Sequence, residues 1–265
     1  MGWLKSVAEP IKTKLILRKV RKSNYYPHFY NDSLSIIDDK KIIYTEVSKV
    51  ACTKIKKTLF KISQGDNSAT IDSKSVHRKV CNQFKGANDY SDIELYKLLS
   101  SDEFYKFCFV RNPYSRAISA YNDKIYFPFQ TNEYTRMHHK ILEWANSTGL
   151  NDKNNFVTFD VFIKYICQQD FFEMDRHWMP QHIALWYPVI DYHFIGRYEN
   201  FTDDFQSILK ELQASDRLIE MAVFKENKGI KLATSFSKET ASIFYAKFIK
   251  DFQIYGYDQN SWKKY

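Results

Sequence analysis

The segment that most constrains the fold is a near-continuous apolar and aromatic run, Phe104–Val110 (FYKFCFV). A run without polar alternation is typical of a strand that is buried on both faces of a parallel sheet. Asn112 and Pro113 follow at once, and a capping residue before a proline indicates a helix start. The sequence therefore predicts a buried strand that leads directly into a helix.

The same strand-to-helix pattern occurs twice more along the chain. Residues 34–37 and 41–47 predict two strands around an Asp-Asp-Lys turn, and the second leads into a helical pattern from about Cys52. A strand at 193–195 precedes a helix that starts after Asn200. Strands that alternate with helices predict an α/β fold with a mostly parallel central sheet. Because ligands bind beyond the carboxyl ends of such strands, the chemistry is expected at these junctions.

Composition restricts the partners but does not choose among them. Lys and Arg outnumber Asp and Glu 39 to 31 in 265 residues, which gives a net charge of +8. This excess favours anionic partners such as nucleotides, acidic glycans, nucleic acid or a membrane surface. Four cysteines without close pairing argue against a disulfide framework and for a reducing compartment. No CxxC or HExxH spacing occurs, so no metal is predicted.

The N-terminus is basic and contains no long uncharged apolar stretch. Residues 1–22 carry seven basic residues and one acid. We expect a cytoplasmic protein, because a signal peptide or membrane span needs a longer apolar run. Residues 1–30 are predicted as a basic helical segment, which either packs on its own domain or contacts an anionic membrane surface. Pro10 interrupts its apolar stripe and weakens the membrane interpretation.

The first junction, Val47–Lys54, has the sequence VSKVACTK, which favours binding of an anion. Lys49 supplies a compact charge, the Thr53 hydroxyl adds a donor, and the backbone N–H groups of residues 51–53 can point at a phosphate. The alternative is that Lys49 is a solvated turn lysine. The glycines of GxxxxGK[ST] are missing, which argues against an ordinary ATP-binding P-loop.

The second junction, RNPYSRAISAY from Arg111, carries the stronger signal. On a helical wheel one face is apolar and the other is polar. The polar face comprises Asn112, Arg116, Ser119 and Asp123. Arg111 at the strand end and Ser119 on the helix can converge on a phosphate. The guanidinium of Arg111 can bind two phosphate oxygens at once. Arg116 either lines the same phosphate or pairs with a carboxylate.

At this point the chain resembles a known family. The segment from Lys49 to Thr53 resembles the 5′-phosphosulfate loop of the Golgi-type carbohydrate sulfotransferases, the chondroitin- and dermatan-like enzymes of sulfotransferase family 2. RNPxxRxxSAY resembles their 3′-phosphate motif. The match continues in order at His177–Gln181 and Phe194–Glu199, and it covers roughly residues 40–258.

The resemblance implies a sulfotransferase that uses 3′-phosphoadenosine 5′-phosphosulfate (PAPS), with a P-loop-like nucleotide-binding fold. It also implies in-line transfer of the sulfuryl group to a hydroxyl of a polysaccharide, oligosaccharide or glycolipid. Because no Pro/Gly/Ser-rich linker marks a domain boundary, we expect one domain over residues 31–265. The residues implied for PAPS are Lys49, Val50, Ala51, Cys52, Thr53, Lys54, Arg111, Ser119 and Arg197.

The resemblance also suggests roles in catalysis. Lys49 is the candidate for stabilising charge on the leaving phosphate oxygen, and His77 is the candidate base because it resembles a Val-His element of the family. His177 is the second candidate, and with Trp178 it is a candidate for acceptor binding; Trp178 suits a structural role equally well.

The chain departs from the family at Ser48, where Pro is usual, and at Lys54-Ile55, where Asn-Trp is usual. The family's anchor segment is missing from this sequence, which suggests a soluble, microbial form.

Two other classes compete with the sulfotransferase interpretation. A noncatalytic basic protein that binds polysaccharide or nucleic acid would spread Lys and Arg along a face, whereas here Lys49 and Arg111 stand at strand ends. An ATP-dependent kinase would need a glycine loop and a Mg²⁺-binding carboxylate, and neither is evident.

Overall fold

The computed structural model describes residues 33–65, 67–130, 136–150, 156–222 and 234–265. The predicted basic helical segment 1–30, with its proposed membrane contact, lies outside these residues. No helix within the described ranges is both long and apolar enough to cross a membrane.

Within the described ranges, the sheet has four strands in the order β1-β2-β3-β4. They are β1 Leu34–Ile37, β2 Ile42–Thr45, β3 Tyr105–Val110 and β4 Phe194–Arg197. β1 pairs antiparallel with β2, whereas the β2–β3 and β3–β4 pairs are parallel. The predicted α/β class with a mostly parallel sheet is therefore confirmed.

The described ranges also contain eleven α-helices. They are α1 Cys52–Gln64, α2 Lys79–Asn82, α3 Asp92–Ser100, α4 Pro113–Tyr121, α5 Phe127–Gln130, α6 Arg136–Ser147, α7 Phe159–Gln168, α8 Gln181–Ala184, α9 Phe201–Glu211, α10 Asp216–Met221 and α11 Lys238–Tyr255. A short 3₁₀ helix, Ser75–His77, lies between α1 and α2. The three predicted strand-to-helix junctions are those that lead into α1, α4 and α9.

The chain divides into two compact units that are interleaved in sequence. The first comprises residues 1–110 and 183–225 and contains the sheet. The second comprises residues 111–182 and 226–265. The single domain expected over residues 31–265 stays a prediction.

The core of the first unit is apolar on both sides of the sheet. Leu34, Ile36 and Ile43 form one buried cluster with residues of α3, including Leu95 and Leu99. Elsewhere in this unit, the ring of Phe109 packs on Phe201 and Phe205 of α9, with centroids 4.9 and 6.0 Å apart.

One glycine of β4 is required by a close approach to this core. A Cβ at Gly196 would lie 2.4 Å from Cε1 of Phe109. Any other residue would therefore displace the Phe109 ring from the β3–β4 interface.

The second unit is organised around an aromatic cluster that centres on Tyr114 of α4. The Tyr114 ring lies 4.8 to 5.4 Å from the rings of Phe236, Phe244 and Phe252. Its hydroxyl donates to the carbonyl of Gln259 at 2.9 Å, which satisfies the polar end of a buried ring.

The prediction of a helix start at Pro113 is confirmed, but the wheel was wrong in two places. Asn112 caps α4 by accepting from the N–H groups of Tyr114 and Ser115. Arg116, predicted on the polar face, is 3% exposed. A π-helix, Asn122–Tyr126, follows α4, so the α-helical period does not extend to Asp123.

Candidate functional site

The loop between β2 and α1 contains two residues in the left-handed region. Lys49 has φ 72° and Ala51 has φ 63°, and neither is glycine. A non-glycine residue in this region costs about 1–3 kcal/mol, and such residues cluster at ligand-binding sites. Left-handed residues are also part of the backbone arrangements that form anion-binding concavities. The predicted phosphate loop therefore has a strained backbone of the kind that anion sites use.

The N-terminus of α1 has no side-chain cap. Its N-cap residue is Ala51, and its first turn contains no acidic residue. The N-caps of α3, α4, α7, α10 and α11 all accept a hydrogen bond through a side chain, namely Ser91, Asn112, Thr158, Ser215 and Ser237. The first N–H groups of a helix have no carbonyl partner within the helix. The N-terminus of α1 therefore presents donors that its own N-cap side chain does not satisfy.

Thr53, in the first turn of α1, is hydrogen-bonded to a predicted catalytic residue. Its Oγ1 lies 3.0 Å from Nε2 of His77. On the other side of the ring, Nδ1 of His77 lies 3.8 Å from Oε2 of Glu46, which is an electrostatic contact and too long for a hydrogen bond. The structure thus joins two predicted residues, Thr53 and His77, and adds Glu46, which the sequence analysis missed.

Glu46 is also ion-paired with Lys56 of α1, and both side chains are buried. Burial works to raise the pKa of the Glu46 carboxyl, but Lys56 and His77 outweigh it and hold the pKa well below its ordinary value. Glu46 is therefore a carboxylate at neutral pH. A sequence signal for the pair existed: Lys56 lies between the buried residues Ile55 and Leu59 of α1, and a lysine on a buried stripe requires an acidic partner.

Glu46, Cys52 and His77 place one ligand atom each within 4.8 Å of one another, a spacing that a metal ion could bridge. Two features argue against a metal. The ammonium of Lys56 already contacts the Glu46 carboxylate. Burial raises the pKa of the Cys52 thiol to about 12, whereas a metal ligand must be a thiolate. We assign no metal to this cluster.

Two further residues predicted for PAPS have other partners in the first unit. The ammonium of Lys54 donates to the carbonyl of Met221 at the end of α10, at 2.9 Å. Arg197 is the last residue of β4, its side chain is exposed, and its backbone N–H donates to Asp204 at 2.6 Å. Their roles in PAPS binding stay predictions.

Arg111 and Ser119 belong to the second unit, where a hydrogen-bonded frame holds the backbone of Arg111. The side-chain amide of Gln181 accepts from the N–H of Arg111 at 2.9 Å and donates to its carbonyl at 2.8 Å. The Nε of Arg111 donates to Ser115 at 2.7 Å. Ser119 is half-buried on α4. The guanidinium of Arg111 is thus oriented by α4, as is needed for a side chain that binds phosphate through paired hydrogen bonds.

The loop that contains His177 and Trp178 is fixed by buried polar contacts. The guanidinium of Arg116 donates to the carbonyls of Met179 and Arg176, at 2.8 and 3.2 Å. The indole N–H of Trp178 donates to Gln169 at 3.0 Å, and the Trp178 ring is 2% exposed. The partner expected for Arg116 from the sequence is a phosphate or a carboxylate. Instead, Arg116 donates to backbone carbonyls of the loop that contains His177 and so orients that loop.

His177 is held by a carboxylate that the sequence analysis also missed. Oδ1 of Asp175 lies 2.5 Å from Nδ1 of His177 and accepts from the His177 backbone N–H at 2.9 Å. Burial lowers the pKa of His177, and Asp175, which acts in the opposite direction, does not fully offset it. The ring is therefore a neutral, oriented imidazole at neutral pH. The signal was local, since an aspartate two residues before a histidine can bond both its N–H and its ring.

The comparisons with known proteins agree with these motifs. A model of the sulfotransferase family matches residues 32–258. Carbohydrate sulfotransferase 14 of Danio rerio is 30% identical over 231 residues, which cover 83% of this chain and 60% of that relative. Carbohydrate sulfotransferase 11 of Rattus norvegicus is 27% identical over 260 residues, covering 93% of this chain and 72% of the relative. Carbohydrate sulfotransferase 10 of Homo sapiens is 26% identical over 249 residues, covering 87% and 68%.

The chain spans about three fifths of the length of the Danio rerio relative. No solved structure gave a significant match. The family match covers far more than half of the chain and includes both segments that were predicted to bind phosphate, so the predicted resemblance is confirmed. The chain belongs to the sulfotransferase family.

Proposed function

We propose that this protein transfers the sulfuryl group of PAPS to a hydroxyl of a carbohydrate. In this reaction the sulfur–oxygen bond to the 5′-phosphate breaks, a new bond to the acceptor oxygen forms, and 3′-phosphoadenosine 5′-phosphate (PAP) leaves. The observation that carries the proposal is the loop from Lys49 to Thr53, which combines left-handed residues, an uncapped helix N-terminus and a hydroxyl.

Lys49 is proposed to stabilise the negative charge that develops on the departing phosphate oxygen. Sulfuryl transfer resembles phosphoryl transfer in needing alignment of nucleophile and leaving group together with charge stabilisation. A donor that acts where charge develops contributes more to the transition state than to the ground state. The α1 N-terminus and Thr53 supply further donors to the 5′-phosphate end of PAPS.

Arg111 and Ser119 are proposed to bind the 3′-phosphate. The Gln181 frame around the Arg111 backbone and the Ser115 contact with its Nε reduce the freedom of the guanidinium before any ligand arrives. A preoriented guanidinium loses less conformational entropy when it binds a phosphate.

A carbohydrate acceptor is proposed from the names of the relatives, all three of which are carbohydrate sulfotransferases. The buried ring of Trp178 anchors its loop and leaves little surface for a sugar. His177 on the same loop retains some exposure, with 16% of its side chain accessible, and suits a contact with the acceptor hydroxyl.

Two histidines have the chemistry to accept the proton of that hydroxyl. His77 is the residue that the resemblance implies. His177 has the orientation by a carboxylate that histidine bases commonly need, and its lowered pKa keeps it unprotonated. The two assignments are separated below by the pH dependence of variants.

The proposal is tested by transfer of labelled sulfate. The protein is incubated with ³⁵S-labelled PAPS and a panel of neutral and acidic polysaccharides, oligosaccharides and glycolipids, with heat-treated protein as the blank. Label in the carbohydrate fraction, dependent on the native protein, is expected. Binding of polysaccharide without transfer of label to any acceptor would instead favour a noncatalytic basic binding protein.

A further inference from the structure

We infer that His77 is a positioning residue: it takes up a proton when the sulfate donor binds, and this turns the Thr53 hydroxyl towards the donor's 5′-phosphate. The inference rests on the proposed function, because it takes PAP and PAPS as ligands of the Lys49–Thr53 loop. It adds a proton linkage to donor binding, and it gives His77 a role other than that of the base.

The geometry concerns one hydroxyl and two ring nitrogens. Thr53 Oγ1 has a single proton, and it lies 3.0 Å from Nε2 of His77. Nδ1 of His77 is buried and has no hydrogen-bond partner among the described residues, and the nearest charge on that side is Oε2 of Glu46 at 3.8 Å. The state of the ring therefore decides where the Thr53 proton points.

Neither neutral form of the ring suits a bound phosphate. With the proton on Nδ1, Nε2 is an acceptor, so the Thr53 hydroxyl must donate to the ring and turns its lone pairs towards the anion. With the proton on Nε2, Thr53 keeps its own proton for the phosphate. The bare Nδ1 lone pair then faces the Glu46 carboxylate in a buried environment, which is unfavourable.

The imidazolium removes both conflicts. Nδ1–H then faces the Glu46 carboxylate, and Nε2–H donates to the oxygen of Thr53. The Thr53 hydroxyl is free to donate its proton to an oxygen of the 5′-phosphate. Donor binding and protonation of His77 therefore favour each other, and by linkage the donor binds more tightly as the pH falls.

The other groups around the ring are consistent with this linkage. Glu46 is held as a carboxylate by Lys56, so it contributes one negative charge beside Nδ1 throughout the neutral range. Cys52 and Tyr44, which both interact electrostatically with Glu46, have a pKa raised by burial, so they stay uncharged. The side chain of Lys49 acts electrostatically on Cys52 and so contributes positive charge near that thiol.

The inference is tested by calorimetric titration of PAP into the protein at pH values between 6 and 8. Each titration is repeated in three buffers with different ionisation enthalpies, so that the dependence of the observed heat on the buffer gives the number of protons taken up. The phosphates of PAP titrate near pH 6 themselves. The His77→Gln variant therefore provides the baseline, and the wild-type protein minus this variant gives the contribution of His77.

Two substitutions at Thr53 make the measurement specific to the hydroxyl. Thr53→Ser keeps the hydroxyl, and Thr53→Val replaces it with a methyl group of similar volume. We expect uptake by the wild type and by Thr53→Ser to exceed the His77→Gln baseline by up to about one proton. As the pH falls, the affinity of the wild type for PAP should rise relative to that of His77→Gln by up to about tenfold per pH unit. Thr53→Val should lose most of the excess uptake. Urea unfolding of each variant checks that the fold is retained.

Equal proton numbers for the wild type and His77→Gln would overturn the inference while leaving PAP binding, and with it the proposed function, intact. Undiminished excess uptake in Thr53→Val would overturn it too, because the ring would then respond to the ligand's charge without the hydroxyl. No binding of PAP by the wild type, at any pH, would overturn the proposed function and the inference together.

Discussion

Oδ1 of Asp175 accepts from the backbone N–H of His177 at 2.9 Å and lies 2.5 Å from Nδ1 of the same residue. The carboxylate fixes the tautomer that leaves Nε2 unprotonated, and burial lowers the pKa of the ring despite the opposing effect of Asp175. If His177 is the base, as proposed, it works only above its pKa, so activity should be lost as the pH falls through that lowered value.

We therefore predict that His177→Ala lowers kcat by roughly 10²- to 10⁴-fold and removes the acid limb of the pH–rate profile. Asp175→Asn removes the charge that raises the pKa of His177, so the acid limb should move to lower pH while the maximal rate falls. The measurement is kcat against pH for labelled-sulfate transfer. A His177→Ala profile that keeps the wild-type acid limb, with the limb lost in His77→Gln, would return the role of base to His77.

Lys49→Ala is predicted to lower the transfer rate by about 10²- to 10³-fold, since it removes the donor proposed for the oxygen where charge develops. Lys57→Ala on α1 is the control, because the ammonium of Lys57 donates to the exposed Ser73 at 2.9 Å and Lys57 was not predicted to bind PAPS. Single-turnover kinetics with labelled PAPS measure the effect on the chemical step. Turnover of Lys49→Ala at the wild-type rate would exclude Lys49 from catalysis.

The buried Glu46–Lys56 pair leads to a prediction about stability. Lys56→Met leaves an uncompensated buried carboxylate and should lower the free energy of unfolding by about 3–5 kcal/mol. The double variant Glu46→Gln/Lys56→Met buries no charge, so it should recover most of the loss. Urea denaturation at pH 7 measures both. Additive losses in the double variant would mean that the two charges do not stabilise each other.

The same pair predicts how stability depends on pH. The pKa of Glu46 is depressed in the folded protein, so its contribution is fully present above the unfolded value of about 4.3 and is lost as the pH falls below it. The urea midpoint of the wild type should therefore fall more steeply below pH 4 than that of Glu46→Gln/Lys56→Met. Parallel curves for the two proteins would contradict a depressed pKa.

Because the backbone at Ala51 is strained, a glycine at this position is predicted to stabilise the protein while leaving the loop less ordered. Ala51→Gly should raise the free energy of unfolding by about 0.5–1 kcal/mol, because glycine adopts φ 63° without the Cβ penalty. Gly65→Ala, at the opposite end of α1 with φ 62°, is the matched reverse change and should destabilise by a similar amount. Urea denaturation measures both changes. A loss of stability in Ala51→Gly would show that Ala51 carries no strain.

Much of the fold was predictable because its strands are short apolar runs that end at helix-starting residues. The sequence predicted β3 at 104–110 and the structure has Tyr105–Val110, and the predicted strand at 193–195 is Phe194–Arg197. The predicted sheet and the junctions into α1, α4 and α9 followed from local patterns alone. The left-handed backbone at Lys49 and Ala51 did not, because a non-glycine residue gives no local signal for positive φ.

The parts of the site that sequence could not predict depend on contacts between distant residues. Thr53 and His77 are 24 positions apart, and no local sequence pattern indicates that the Thr53 hydroxyl contacts the His77 ring. Arg116 lies on the polar face of an ideal helix, yet it is buried because carbonyls 60 and 63 positions away accept its donors. Family resemblance supplied the names of the site residues, whereas their hydrogen-bond partners came from the structure.

The most direct test of the proposed function is calorimetric titration of the protein with PAP, with AMP as the ligand that lacks the 3′-phosphate. Arg111→Ala is compared with Arg217→Ala, an exposed arginine of α10. Binding of PAP that weakens roughly 10- to 100-fold in Arg111→Ala, and that is weaker by a similar factor for AMP, is expected from the loss of charged hydrogen bonds. Equal affinity for PAP and AMP, or no binding of either, would contradict a PAPS-dependent sulfotransferase.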